Sequence, residues 1–114
     1  MITFDEIREL ALNLPGVDDG TSYGTPALKV NGKLLARLKE DGASVVFRVP
    51  FDQRDLLMQT KPKVFFITDH YLGYPAVLMR LRAASSGQAA DIIEMACRFV
   101  APKRLFDART ASTR

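Results

Sequence analysis

No apolar run in this 114-residue sequence approaches the roughly 20 residues that a bilayer-spanning helix requires. The N-terminus lacks the basic-then-apolar order of a signal peptide, so a cytoplasmic protein with no membrane partner is expected. A single cysteine, Cys97, excludes an internal disulfide and a cysteine-based metal cluster, in keeping with a reducing compartment. There is no Gly-rich phosphate loop, no CxxC and no HExxH. His70 is the one histidine, and no motif pairs it with a nucleophile or an acid. A catalytic residue, a metal and a cofactor are therefore not expected. No internal repeat or low-complexity block is present.

What remains is the composition of an ordinary soluble domain, 47% hydrophobic and 25% charged, long enough for one core. Its net charge of +3 is unevenly spread. Residues 1–25 carry Asp5, Glu6, Glu9, Asp18 and Asp19 against Arg8 alone. The basic excess falls in the middle of the chain, which gives the molecule an anion-facing side. The early carboxylates need no chemical role, because they sit where a helix dipole favours them.

Thr3 and Glu6 form a capping box, and Ile7, Leu10, Ala11 and Leu14 recur at helical spacing until Pro15-Gly16 ends the helix. Val17–Pro26 reads as a connecting loop, with a short strand open at Thr21–Tyr23. Two hairpins follow, with turn signals at Asn31-Gly32 and Asp41-Gly42. Asp52 is the expected N-cap of a second helix, which Lys61-Pro62 stops. Val64–Thr68 is an apolar strand and Ala76–Arg82 an alternating one. Ser85 and Gln88 form a second capping box, opening a helix that buries Ala89, Ile92, Ile93, Ala96 and Val100 and ends at Ala101-Pro102. Cys97 lies on or beside that stripe as a small buried hydrophobe.

The resulting order is α-β-β-β-α-β-β-α: an α+β fold with an antiparallel sheet of five to six strands and helices packed on one face. The domain covers residues 1–102, and 103–114 form a basic, flexible tail. The opposite sheet face is open to solvent, to a ligand, or to a second copy in a homodimer.

Register can be argued from burial. A two-residue Asn31-Gly32 turn would put Lys29 on one face with Leu34, Ala36 and Leu38. A three-residue loop, Val30-Asn31-Gly32 with Gly32 left-handed, removes that conflict and sets Lys29 opposite Lys33. A two-residue Asp41-Gly42 turn pairs Leu38 with Val45, Ala36 with Phe47 and Leu34 with Val49. The outer face then holds Lys29, Lys33, Arg37, Lys39 and Arg48, with Arg80 and Arg82 from the last strand, interleaved with Leu35, Val46 and Leu78. These cations are the candidate nucleic-acid contacts, through phosphates. The alternative is a solvated face whose long side chains cover its apolar residues. A continuous positive face favours nucleic acid, whereas one interrupted by Glu40, Asp52 or Asp55 does not.

A second cluster comes from two loops of similar texture, SYGTP and HYLGYP. Ser22, Tyr23 and Thr25 from the first, with His70, Tyr71 and Tyr74 from the second, can meet as a small ligand pocket at one end of the sheet. The alternative is a core edge closed by hydrogen bonds to backbone.

Five pieces of the sequence together carry a family resemblance. They are LPG at 14–16, YGTPALKVNGKLLARL at 23–38, Lys61-Pro62 through Phe66, Asp69-His70-Tyr71, and the final Ala101-Pro102-Lys103-Arg104. In order and spacing they resemble the MmcQ/YjbR family over residues 4–105. The resemblance implies a CyaY-like (frataxin-like) α+β domain that binds DNA through a double-wing element; taken with the charge asymmetry, it makes a non-enzymatic domain that binds DNA weakly or non-specifically the expectation. Many members carry a tryptophan near the loop before the last strand. This chain has none and offers Tyr71 and Tyr74 there.

Overall fold

The structure, a computed structural model, describes residues 1–102; the expected tail, 103–114, lies outside the described residues. In chain order the elements are α1 (Phe4–Leu12), β1 (Val17–Ser22), β2 (Thr25–Val30), β3 (Lys33–Leu38), β4 (Ser44–Arg48), α2 (Phe51–Thr60), β5 (Phe65–Phe66), β6 (Ala76–Arg80) and α3 (Ser86–Val100). A 3-10 turn at Asp69–Tyr71 precedes β6. The strands form one antiparallel sheet in the order β1-β2-β3-β4-β6-β5. The α+β architecture is as the sequence predicts, with one strand more than its order gave.

Both capping boxes form. Thr3 Oγ1 accepts from the Glu6 amide at 3.2 Å while Glu6 Oε1 accepts from the Thr3 amide. Ser85 and Gln88 do the same for α3. Each box satisfies two amides that would otherwise lack a partner at a helix start. The second helix departs from expectation: its N-cap is Pro50, without a side-chain cap, and Asp52 lies inside the first turn. Pro50 already holds the extended entry (φ −61°, ψ 152°), so Asp52 complements the dipole instead.

The strand order corrects the reading of residues 17–26 as a loop. Val17–Ser22 is a full edge strand, in register with Thr25–Val30 along its length. Its weak β-formers Asp18, Asp19 and Gly20 hid it, and charge is a common feature of edge strands. Tyr23 and Gly24 make the tight turn, both with positive φ. Arg8 Nε donates to Asp19 Oδ2 at 2.7 Å and ties α1 to this edge.

The register conflict at the next hairpin is real, but the chain resolves it elsewhere. Asn31 and Gly32 both have positive φ, so the turn has two residues, and Val30 faces Lys33 and Lys29 faces Leu34. The ladder then shifts and Leu28 pairs with Ala36. Leu35 is the extra residue of a bulge, and its side chain is fully buried (0% exposed). Lys29 is therefore not opposite Lys33, Leu35 belongs to the core, and Leu34 turns to the outer face.

The β3–β4 register is as expected for Leu38 facing Val45 and Ala36 facing Phe47; the expected third pair, Leu34 with Val49, is lost because the bulge turns Leu34 to the outer face. Its turn is centred one residue earlier than expected, on Glu40 and Asp41, because the Gly42 amide donates to the Lys39 carbonyl at 2.9 Å.

Phe47, Val45, Val77, Met79, Leu28 and Leu35 meet Ile7 and Ala11 of α1 and Ile92, Ile93 and Cys97 of α3 in the main core. The opposite sheet face is not fully open. Val46, Leu78 and Ala76 are buried there beneath Tyr71, Phe66 and Ile67. The segment after β5 folds back over that half of the sheet. What stays uncovered is a concavity beside it.

Candidate functional site

The concavity has a volume of about 710 Å³, within the range of small-molecule pockets. Leu34, Val46 and Ala76 give it an apolar floor, and Arg37, Lys39, Arg48 and Glu40 line it with charge. Tyr23 stands at its rim from the β1–β2 turn, and His70, Tyr71 and Tyr74 come from the loop before β6. The two predicted clusters thus overlap: Tyr23, His70, Tyr71 and Tyr74 wall the part of the sheet that carries Arg37, Lys39 and Arg48, whereas Ser22 and Thr25 do not line the concavity.

Arg37 is the hub. Its guanidinium is buried (7% exposed). It donates to Glu40 Oε1 at 2.7 Å, Thr25 Oγ1 at 3.3 Å and Tyr71 Oη at 3.3 Å, and lies 5.2 Å from the Tyr23 ring centre. Thr25 Oγ1 in turn donates to the Ser22 carbonyl. Burial opposes its charge, but the hydrogen bonds to Glu40 and Tyr71 outweigh burial and hold its pKa above the ordinary value. The same hydrogen bond, with Glu40's own backbone and the charges of Arg37 and Lys39, lowers the Glu40 carboxyl to about 2. Glu40 is therefore an ionised, acceptor-only group at any physiological pH.

Arg54, on α2, holds the aromatic wall. One of its terminal nitrogens donates to the carbonyls of Tyr71, Leu72 and Tyr74 at 3.3, 3.0 and 3.2 Å. The buried guanidinium also bonds Asp55 and packs 4.8 Å from the Phe51 ring centre. The loop so fixed presents His70 and Tyr74 nearly parallel, ring centres 5.8 Å apart at 26°, with Tyr71 edge-on to both. Arg54 has no sequence signature: it is the buried residue of a helix that leaves Phe51 and Leu56 exposed, and an arginine in a polar helix looks like any solvent-facing one.

The remaining predicted cations are scattered. Arg80 is committed to the Pro62 and Lys63 carbonyls and to the Phe66 ring, 4.1 Å away. Arg82 lies beyond the last strand, exposed in the following turn. Lys29 faces Asp18 across the edge ladder. Lys33 lines a smaller concavity of about 340 Å³ with Leu34, Arg48, Phe99 and Val100. Lys39 lies 3.6 Å from Glu40. Arg48 lines both concavities and has no ion-pair or side-chain hydrogen-bond partner among the described residues. Glu40 interrupts the positive face between Arg37 and Lys39.

Among the described residues no three His, Cys, Asp or Glu side chains are grouped to hold a metal ion, and no helix is long and apolar enough to cross a membrane. The site's means are stacking, charge and hydrogen bonding.

Fold and site together define a small α+β domain with a concave, aromatic-walled and basic sheet face. The YjbR family model matches residues 12–98, and the chain belongs to the YjbR family. It is similar to Uncharacterized protein Rv2570 of Mycobacterium tuberculosis and Uncharacterized protein Mb2600 of Mycobacterium bovis. Each is 39% identical over 57 residues, which is 50% of this chain and 44% of theirs. The match thus spans less than half the length of these relatives. The crystal structure of Deinococcus radiodurans protein DR2400, of family-model domain DUF419, superposes with a TM-score of 0.73 at 17% identity, covering 88% of this chain and 79% of that one. At that identity the likeness establishes the fold.

Proposed function

We propose that this domain is a non-enzymatic binding module whose ligand, a small molecule with a flat ring and an anionic group, sits in the concavity walled by Tyr23, His70, Tyr71 and Tyr74. The observation that carries this reading is Arg48, a cation without a partner among the described residues, at the edge of an apolar floor ringed by aromatic faces. Flat rings gain from stacking on exposed aromatics, and an unpaired guanidinium is suited to a carboxylate or phosphate. Benzoate serves as a first probe. It is expected to shift the NMR signals of His70 and Tyr74 saturably, and Arg48→Ala is expected to abolish the effect. Benzoate shifts that survive Arg48→Ala unchanged would reject this site.

DNA binding through phosphates is a second reading, supported by the exposed Lys33 and Arg82 and the half-buried Lys29 and Arg48, which form no ion pair among the described residues. Arg37 and Arg80 are committed to protein groups and drop out of that surface. Affinity for a short duplex should fall steeply with salt, and alanine at Lys29, Lys33, Arg48 and Arg82 together should abolish it. Tyr74→Ala should leave it unchanged. Duplex affinity that ignores the fourfold substitution removes this reading.

A further inference from the structure

The concavity has two chemically different ends. Arg48, Val46 and Ser44 succeed one another on the outer face of β4, and the Lys39 amide donates to the Ser44 carbonyl, just before Glu40. Arg48 and the turn bearing Glu40 are therefore separated by about four strand residues, roughly 13 Å of strand rise. The Val46 row lies between them. One end offers a cation with no partner among the described residues; the other offers a carboxylate. Arg37 and Lys39 hold that carboxylate ionised, yet lone pairs remain to accept further hydrogen bonds. Along the side stand the flat faces of His70 and Tyr74, with Tyr74 56% exposed. A ligand that satisfies all three is elongated. It has an N–H donor at one end, a flat ring beside the aromatics and an anion at the other end.

Tyr23 adds an independent sign that the concavity is built for an occupant. It is 86% exposed and sits at φ 52°, a conformation that bulky residues rarely adopt. Asn or Gly is the ordinary choice at this turn position. Backbone strain of this kind persists at ligand clamps, and here it places an aromatic ring at the mouth of the site.

We infer that the occupant is a nucleotide unit bearing an amino group on its base, with the base against Tyr74 and His70, the amine toward Glu40 and the phosphate at Arg48. This rests on the planar-anion reading above and deepens it. A benzoate-sized ion reaches one end only, whereas a nucleotide has the donor, the ring and the anion in the required order. The same chemistry comes from a free mononucleotide or from one residue of a single strand.

The test is NMR titration of the full chain, following His70 and Tyr74. The probes are adenosine monophosphate, adenosine, purine riboside monophosphate (which lacks the amine), benzoate and a short single-stranded oligo(dA). Adenosine monophosphate is expected to saturate, and Arg48→Ala to weaken it by about tenfold, as loss of a charged hydrogen-bond partner does, while adenosine affinity stays unchanged. Removing the amine from the ligand and making Glu40→Gln should each weaken binding by roughly threefold or more. The two losses should not add, because they delete the same contact. An oligo(dA) that binds at least about tenfold tighter than the mononucleotide identifies a strand as the source, and equal affinity identifies the free nucleotide. Failure of both nucleotide probes while benzoate still shows its Arg48-dependent shifts overturns the nucleotide assignment and leaves the planar-anion site standing. Failure of every probe removes both. A mononucleotide affinity indifferent to Arg48→Ala, in a variant whose spectrum shows it folded, also overturns the assignment.

Discussion

Arg54 of α2 donates to the Leu72 carbonyl at 3.0 Å, and with its bonds to the carbonyls of Tyr71 and Tyr74 it is the fastener of the aromatic wall. The Tyr71 and Tyr74 carbonyls also accept from the amides of Tyr74 and Ala76, so Arg54 adds a second donor to each of them and supplies the donor that the Leu72 carbonyl takes in this irregular stretch.

Arg54→Ala is therefore expected to destabilise the domain by about 1–3 kcal/mol, the cost of leaving the Leu72 carbonyl without its donor and of losing a charged hydrogen-bond donor to two others. Urea unfolding midpoints measure this, and amide exchange around residues 71–74 should rise more than exchange in β4. Unchanged stability together with unchanged exchange in that loop would show that the wall stands without Arg54.

Leu34 and Leu35 give a sharp test of the bulge. Leu35→Ala empties a fully buried site and should cost about 2–5 kcal/mol. Leu34, half-buried on the outer face, should cost about 1 kcal/mol or less on truncation, in proportion to its smaller buried area. The ranking by chemical denaturation is the readout. The reverse ranking would restore the three-residue loop and put Leu34 back in the core.

These neighbours also show where sequence reasoning reached its limit. Alternation on β4 and β6 is regular, so Val45, Phe47, Val77 and Met79 were readable as core and Arg48 as outward-facing. On β3 the sequence KLLARL offers two adjacent leucines, and burial alone demands one irregularity without saying where it falls. A three-residue turn and a later bulge both meet that demand, and Asn31-Gly32 fits the tight turn better. The site was legible in its parts, since tyrosines and a histidine in turn-rich loops stand out. That these loops fold over the basic face depended on Arg54 and on Tyr71 packing against Val46 and Leu78. Those contacts are non-local and leave no periodic trace.

Tyr23 is expected to trade stability for binding. Asn is preferred at the first position of this turn, so Tyr23→Asn should relieve left-handed strain worth about 1 kcal/mol. It also forfeits the contact of its exposed ring with the buried Arg37, worth about 0.5–1 kcal/mol for a ring that is itself in solvent. The variant should therefore be as stable as the parent or more so, by up to several tenths of a kcal/mol. It should bind benzoate or adenosine monophosphate more weakly, because the ring at the rim is gone. Thermal unfolding and the NMR titration together decide the matter. A variant that is clearly less stable would mean that the ring is held for packing rather than for a ligand.

The Arg37–Glu40 pair sets a pH dependence of definite sign. Glu40's carboxyl is lowered from 4.5 to about 2 in the folded chain, first by the hydrogen bond from Arg37. A carboxyl whose folded pKa lies below its unfolded one contributes stability that is present above the unfolded pKa and lost as pH falls through the folded one. The contribution should thus be intact at neutral pH and fade between pH 4.5 and about 2. Glu40→Gln keeps the shape but cannot ionise, so its stability should fall less steeply across that window. Because Glu40 is largely exposed, the difference should be small and should shrink further at high salt. Urea midpoints for both proteins across that window, at low and high salt, provide the measurement. Parallel curves would mean that Arg37 draws its hold on Tyr71 and Thr25 without help from Glu40.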